Sequence, residues 1–116
     1  MSPLDQVIAI GIAAGWTPTS LGWWHHPTYP DTCHLPNYLS DLNAMRDAKL
    51  FALSGDTWNR YVLHLAKVIA LPATDRMRPD VYRNTKVRVP TNELLSASAA
   101  QEAEALLRTL KKWTDD

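Results

Sequence analysis

Apolar residues recur along the chain in four stretches with helical spacing, separated by proline-rich text. The first, Val7 to Ala14, follows Ser2-Pro3-Leu4-Asp5. Ser2 can accept backbone N–H groups as an N-cap, Pro3 fits the first helical position and Asp5 complements the helix dipole. The spacing predicts a helix through Val7, Ile8, Ile10 and Ile12 that stops at Gly15, a residue able to take the left-handed C-terminal conformation. Apolar residues on nearly every side leave two readings open, a buried helix or a stretch that is partly strand. A second helix is expected from Tyr38 to about Leu53, with Asn37 as N-cap and Asp41 in or next to the first turn. Leu39, Leu42, Met45, Leu50 and Leu53 share its apolar arc, and Arg46 and Lys49 lie close to it, either snorkelling at the edge or meeting polar groups. After Ser54-Gly55-Asp56 a third helix carries Trp58, Tyr61, Val62, Leu65, Val68 and Ile69 before Pro72. Leu63 falls on its opposite side and His64 on its flank, a place for an oligomeric contact. The last helix opens with a capping box, Ser98 and Gln101. Ala99, Ala103, Leu106, Leu110 and Trp113 form its stripe, while Gln101, Glu104, Arg108 and Lys112 are expected to face away. Glu104 and Arg108 make an i,i+4 pair in the favourable order, and Lys111 and Lys112 suit the negative end of the dipole.

Between these helices the text is irregular. Trp16 to Pro36 contains Pro18, Pro27, Pro30 and Pro36, which deny backbone donors, so only one short strand is expected, over Leu21 to His26, limited to an edge or an end by Pro27. Residues 72–95 hold Pro72, Pro79 and Pro90, with Val81-Tyr82 and Val87-Arg88-Val89 as alternating pieces that predict one or two short strands. The expected fold is a single α+β domain over residues 1–116, mostly helical, with about four helices packed with a short sheet or hairpin.

Composition narrows the partners. The 116 residues carry 12 Lys+Arg against 12 Asp+Glu, and 46% are hydrophobic, enough for a real core in one domain. The neutral balance argues against a general polyanion binder, so duplex DNA is not an expected partner, and equally against an acidic mimic of nucleic acid. Cys33 is the only cysteine, which excludes an internal disulfide and makes a reducing compartment the default. The longest apolar stretch is far below the roughly 20 residues of a membrane span and lacks the basic flank of a signal peptide. A cytoplasmic protein with no membrane partner is expected. The exception to neutrality is local: Arg76 to Arg88 holds five basic residues against one acid, Asp80.

Three of the four histidines and Cys33 lie between His25 and His34, but as adjacent pairs, His25-His26 and Cys33-His34, rather than at the spacing by which two ligands reach one zinc ion. No metal and no cofactor is therefore expected. Cys33 lacks the flanking pattern of a thiol nucleophile, and the phosphate, dinucleotide, metalloprotease and hydrolase signatures are missing. An acid–base pair of His25 or His26 with His64 would suit a nucleotide hydrolase. The stronger combination is aromatic and basic. Trp23, Trp24, His25, His26 and Tyr29 lie in one loop, and Arg76, Arg78, Arg83, Lys86 and Arg88 in another. Aromatic faces stack on bases and guanidinium groups grip phosphates, so the ten residues together would form a site for a small nucleotide.

Two blocks carry a resemblance: LPNYLSDLNAMRDA, residues 35–48, and SASAAQEAEALLRTLKKW, residues 96–113, with IAIGIAAGWT, residues 8–17, as a third. They resemble the small proteins of tailed bacteriophages and prophages grouped around the phage ABA-sandwich domain, and cover about a third of the chain. The resemblance implies a phage gene product with a mixed α/β fold, helices packed on a small sheet, and no assigned catalytic residues. Lys49 replaces the usual acid after the Asn-Ala-Met helix, and the basic stretch at 76–88 is not part of the pattern. The expected function is that of a phage-encoded accessory protein that self-associates and binds rather than catalyses: an anti-defence sponge in the host cytoplasm for a cyclic or ADP-ribose-type nucleotide. The alternatives are an inhibitor of a host defence or regulatory protein through the exposed loop aromatics, and a nucleotide hydrolase centred on His25, His26 and His64.

Overall fold

Ser2 caps the first helix as expected: its hydroxyl accepts the Asp5 N–H at 3.1 Å, and α1 spans Pro3–Ala13. The computed structural model describes residues 1–19 and 22–115. Helix, not strand, is the outcome for the Val7–Ala14 stretch up to Ala13, and Ile10, Gly11 and Ala14 are its buried residues. The turn that ends α1 requires Gly15. Its φ is +99°, and a Cβ there would stand 2.7 Å from the Phe51 ring and 3.2 Å from His26 Nε2. Gly15→Ala is therefore expected to lower stability by about 1–3 kcal/mol. Thermal unfolding checks this, and an unchanged midpoint would contradict it.

The expected strand over Leu21 to His26 is reduced to β2 (Trp24–His25), which pairs antiparallel with β1 (Thr17–Pro18), Thr17 opposite His25 and Pro18 opposite Trp24. Leu21 lies outside the described residues. Trp24 also exchanges both backbone hydrogen bonds with Cys33, each at 2.9 Å, so it has neighbours on both sides, while Pro27 falls beyond the end of the strand.

The second helix starts later than expected. Residues 38–40 form a turn on the Asn37 carbonyl, and α2 (Leu42–Ala52) is capped by Asp41, whose carboxylate accepts the N–H groups of Asn43 at 2.9 Å and Ala44 at 3.1 Å. A carboxylate that satisfies two orphan donors is the better cap, which moves the boundary from Tyr38. Met45 and Ala48 are buried, but Leu42 and Leu50 of the expected arc are exposed. Lys49 meets a polar group rather than snorkelling: it pairs with Glu102.

The third helix, α3 (Asp56–Ala70), buries Tyr61, Leu65, Ala66 and Val68. Val62 departs from the expected stripe and is exposed, as Leu63 is on the opposite side. Where Val81-Tyr82 predicted a strand, the chain forms two short helices, α4 (Ala73–Arg76) and α5 (Pro79–Asn84). The β-preferring pair yields to tertiary contacts. Pro79 opens α5, Tyr82 is buried, and Lys67 Nζ donates to the Tyr82 and Arg83 carbonyls at 2.8 and 3.4 Å, covering the helix end. Val87-Arg88-Val89, the other expected strand, is irregular, and α6 (Thr91–Leu95) follows it.

The last helix, α7 (Ala99–Thr109), carries the expected capping box, with Gln101 N–H donating to Ser98 Oγ at 3.1 Å and Ser98 N–H to Gln101 Oε1 at 2.9 Å. Ser98→Ala is expected to cost about 1 kcal/mol in chemical denaturation, and no loss would contradict the cap's role. α7 is the centre of the molecule. α1, α2 and α3 pack around it, and Ala103, Ala105, Leu106 and Leu107 are wholly buried. The fold is α+β and mostly helical, with seven helices among the described residues. The helices beyond the expected four are short pieces in the proline-rich stretch, α4, α5 and α6. Glu104, expected to face away, is instead buried at the centre of an ion-pair cluster.

Candidate anion-binding cleft

Arg76 grips Glu104 with both arms of its guanidinium, Nε to Oε2 at 2.7 Å and Nη2 to Oε1 at 3.0 Å. Arg108, one turn along α7 from Glu104, adds Nε to Oε2 at 2.9 Å. Arg76 Nη1 also donates to the carbonyls of Leu71 at 2.5 Å and Val68 at 3.4 Å. Burial by itself pushes the Glu104 carboxyl up, but hydrogen bonds from Arg76 and Arg108 and their charge outweigh it and hold the group below the ordinary glutamate range. Arg108 Nη2 also lies 3.8 Å from the Asp115 carboxylate, so the two guanidiniums are balanced by two acids and the excess of positive charge comes from Lys67, Arg83 and Lys111 around them.

That excess faces a cleft of about 410 Å³ between α3, α5 and the chain after α7. Lys67, Arg76, Arg83, Arg108 and Lys111 line it, against one lining carboxylate, Asp115. Lys111 takes a left-handed conformation, φ 60°, in the turn where the Lys112 N–H reaches back to the Leu107 carbonyl at 2.8 Å. The cleft's inner wall is Tyr82. Arg108 lies 4.3 Å and Lys67 Nζ 4.8 Å from the centre of its ring. His64 stacks on Tyr82 at 5.8 Å with an interplanar angle of 11°, and its Nδ1 hydrogen-bonds the phenol. Burial pushes the Tyr82 phenol up to about 12. Burial, then the charges of Lys67, Arg108 and Arg60, pushes the His64 imidazole down. In the tautomer in which the Tyr82 hydroxyl donates to Nδ1, the ring proton sits on Nε2 as a further donor for an anion.

Of the ten sequence-predicted site residues, two line this cleft, two line a second cleft and six line neither. Arg76 and Arg83 line the basic cleft, although Arg76 is held by Glu104 and the two carbonyls rather than free to grip a ligand. Arg78, Lys86 and Arg88 are exposed and line neither this cleft nor the next. Trp23 lies 4.6 Å from the His34 ring, Trp24 packs half-buried against the core, and His25 is exposed on β2. His26 and Tyr29 instead join Trp16 in a second cleft, where Trp16 and Tyr29 stack at 5.5 Å and 18°. His26 is buried with both ring nitrogens engaged: Nε2–H donates to the Ala14 carbonyl at 2.9 Å, and Nδ1 accepts the Thr28 N–H at 3.1 Å. The aromatic and basic loops therefore do not build one site. Nor do His25, His26 and His64 converge, since His26 and His64 line different clefts. Among the described residues, no group of three or more His, Cys, Asp and Glu is placed to hold a metal ion, and no helix is long and apolar enough to cross a membrane.

Sequence reasoning missed Lys67, Arg108 and Lys111 as neighbours of Arg83. The available signal was positional: Lys67 sits one turn from His64, and Lys111 follows a helix whose Arg108 lies one turn from Glu104. No family model matches the chain, and neither a curated protein nor a solved structure matches it.

Proposed function

We propose that the protein is a binding protein whose basic cleft takes a phosphate-bearing small molecule, a nucleotide of the cyclic or ADP-ribose class, and that it serves as a phage accessory protein sequestering such a signal. The observation that carries this is the concentration of five cations around His64 and Tyr82 with one carboxylate on the lining. In a partly dehydrated cleft, guanidinium and ammonium donors hold phosphate oxygens by charge-assisted hydrogen bonds. Arg83 and Lys111, both exposed, close on the ligand from the mouth, while Lys67, Arg108 and the His64 Nε2–H supply the floor. Arg108 lies over the Tyr82 ring and, at 5.3 Å, over the Trp113 ring that lines the adjoining space with His64 and Lys111, so a base meets a surface of guanidinium and aromatic rings together. The phage setting is supported by the resemblance of residues 35–48 and 96–113.

Isothermal titration with ADP-ribose, cyclic dinucleotides and pyrophosphate tests the reading. At least one nucleotide is expected to bind the parent, with affinity falling steeply as salt is added. Lys111→Glu and Arg83→Glu each weaken it about tenfold or more. Trp23→Ala, outside the cleft, leaves it unchanged. A parent that binds none of the panel, or charge reversals without effect, overturns the proposal.

A further inference from the structure

The second cleft, about 600 Å³, has the opposite character. Its walls are the rings of Trp16, His26, Tyr29, Tyr38 and Phe51, and its charged lining residues are two carboxylates, Asp41 and Asp47, with no Lys or Arg. Asp41 uses one oxygen to cap α2, and Asp47 has neither an ion pair nor a hydrogen bond among the described residues. Tyr29 and Phe51 are both at least half exposed, at 50% and 59%. Carboxylates between aromatic faces attract a guanidinium or an ammonium, which can stack on the rings while it pairs with the acid.

The same chain carries a segment of matching chemistry. Over residues 85–89 exposure alternates: Thr85, Val87 and Val89 are half-buried, whereas Lys86 and Arg88 are exposed. Neither Lys86 nor Arg88 has an ion-pair or side-chain hydrogen-bond partner among the described residues, and neither lines the acidic cleft of its own chain. In an extended segment, side chains two residues apart share one side, about 6–7 Å from each other. An overall neutral protein thus displays two unpaired cations on one side of a strap and two carboxylates in one aromatic cleft.

We propose that the basic segment around Lys86 and Arg88 of a second copy docks into the aromatic, acidic cleft, with the Arg88 guanidinium between Phe51 or Tyr29 and Asp47. The protein self-associates through this contact, and a reciprocal two-fold arrangement uses both clefts. The basic nucleotide cleft is not involved, so the two proposals stand or fall separately.

Sedimentation velocity over a concentration series reads the association, with circular dichroism confirming that each variant is folded. The parent is expected to sediment above monomer mass and to dissociate as salt is raised. Asp47→Arg and Arg88→Asp should each shift the protein to monomer, because like charges then face each other. The double variant Asp47→Arg/Arg88→Asp restores the opposite-sign pair and should recover association, a result that generic surface damage would not give. A parent that is monomeric throughout, or an Asp47→Arg protein that associates as the parent does, overturns the inference.

Discussion

Glu104→Ala is expected to lower stability by about 3–5 kcal/mol, because it leaves two guanidinium groups buried without their shared anion. The side chains of Glu104 and Arg108 are each 10% exposed and that of Arg76 17%, so solvent does little to replace the lost partner. Arg76 would retain its bonds to the Leu71 and Val68 carbonyls, which orient it but do not neutralise it. Glu104→Gln keeps the shape and one acceptor while losing the charge, and should fall between the parent and alanine. Urea unfolding monitored at the tryptophans measures both, and a loss below about 1 kcal/mol for Glu104→Ala would show that the cluster is not structural. The pH dependence follows in sign. A carboxyl held below its ordinary range contributes stability that is fully present above that range and is lost as pH falls through its lowered value. His64 acts in the same direction: its lowered folded value means that stability declines as pH drops below the ordinary histidine range, where the unfolded chain takes up a proton first. Acid should therefore destabilise the parent more steeply than the Glu104→Gln protein.

Leu106→Ala is the second large effect, expected to cost about 2–5 kcal/mol. Leu106 is wholly buried on α7, the helix that α1, α2 and α3 surround, so the cavity cannot collapse without moving several elements at once. Exposed Leu63, 65% exposed on α3, is the internal control. Leu63→Ala should change stability by no more than about 0.5 kcal/mol, and equal losses at the two positions would contradict the packing described.

The helices that were legible in the sequence share a cause: local chemistry and tertiary packing agree at their ends. Ser2, Gly15, Ser98 and Gln101 each act where the pattern places them. The errors lie where distant groups decide. Val81-Tyr82 reads as strand by propensity, yet Lys67, on another helix, covers the carbonyls that end α5. Glu104 reads as solvent-facing because a periodic stripe says nothing of Arg76, 28 positions away in the chain, whose charge permits its burial. The same limit governs the site. Clusters of tryptophan, histidine and arginine are visible in one dimension, but the text does not reveal that His26 has both nitrogens engaged within its own loop, that Arg76 is held by Glu104, or that His64, Lys67, Arg108 and Lys111 converge on Tyr82.

The proposed phosphate-bearing ligand sits in the cleft beside His64. The most direct test follows the His64 imidazole by NMR through a pH titration, in the free protein and with saturating ADP-ribose or the tightest-binding nucleotide of the panel. In the free protein, burial and the surrounding cations hold the imidazole below the ordinary histidine range. A bound phosphate adds negative charge next to the ring and should move its titration upward. Binding that leaves the His64 titration where it was would place the ligand elsewhere and contradict this reading.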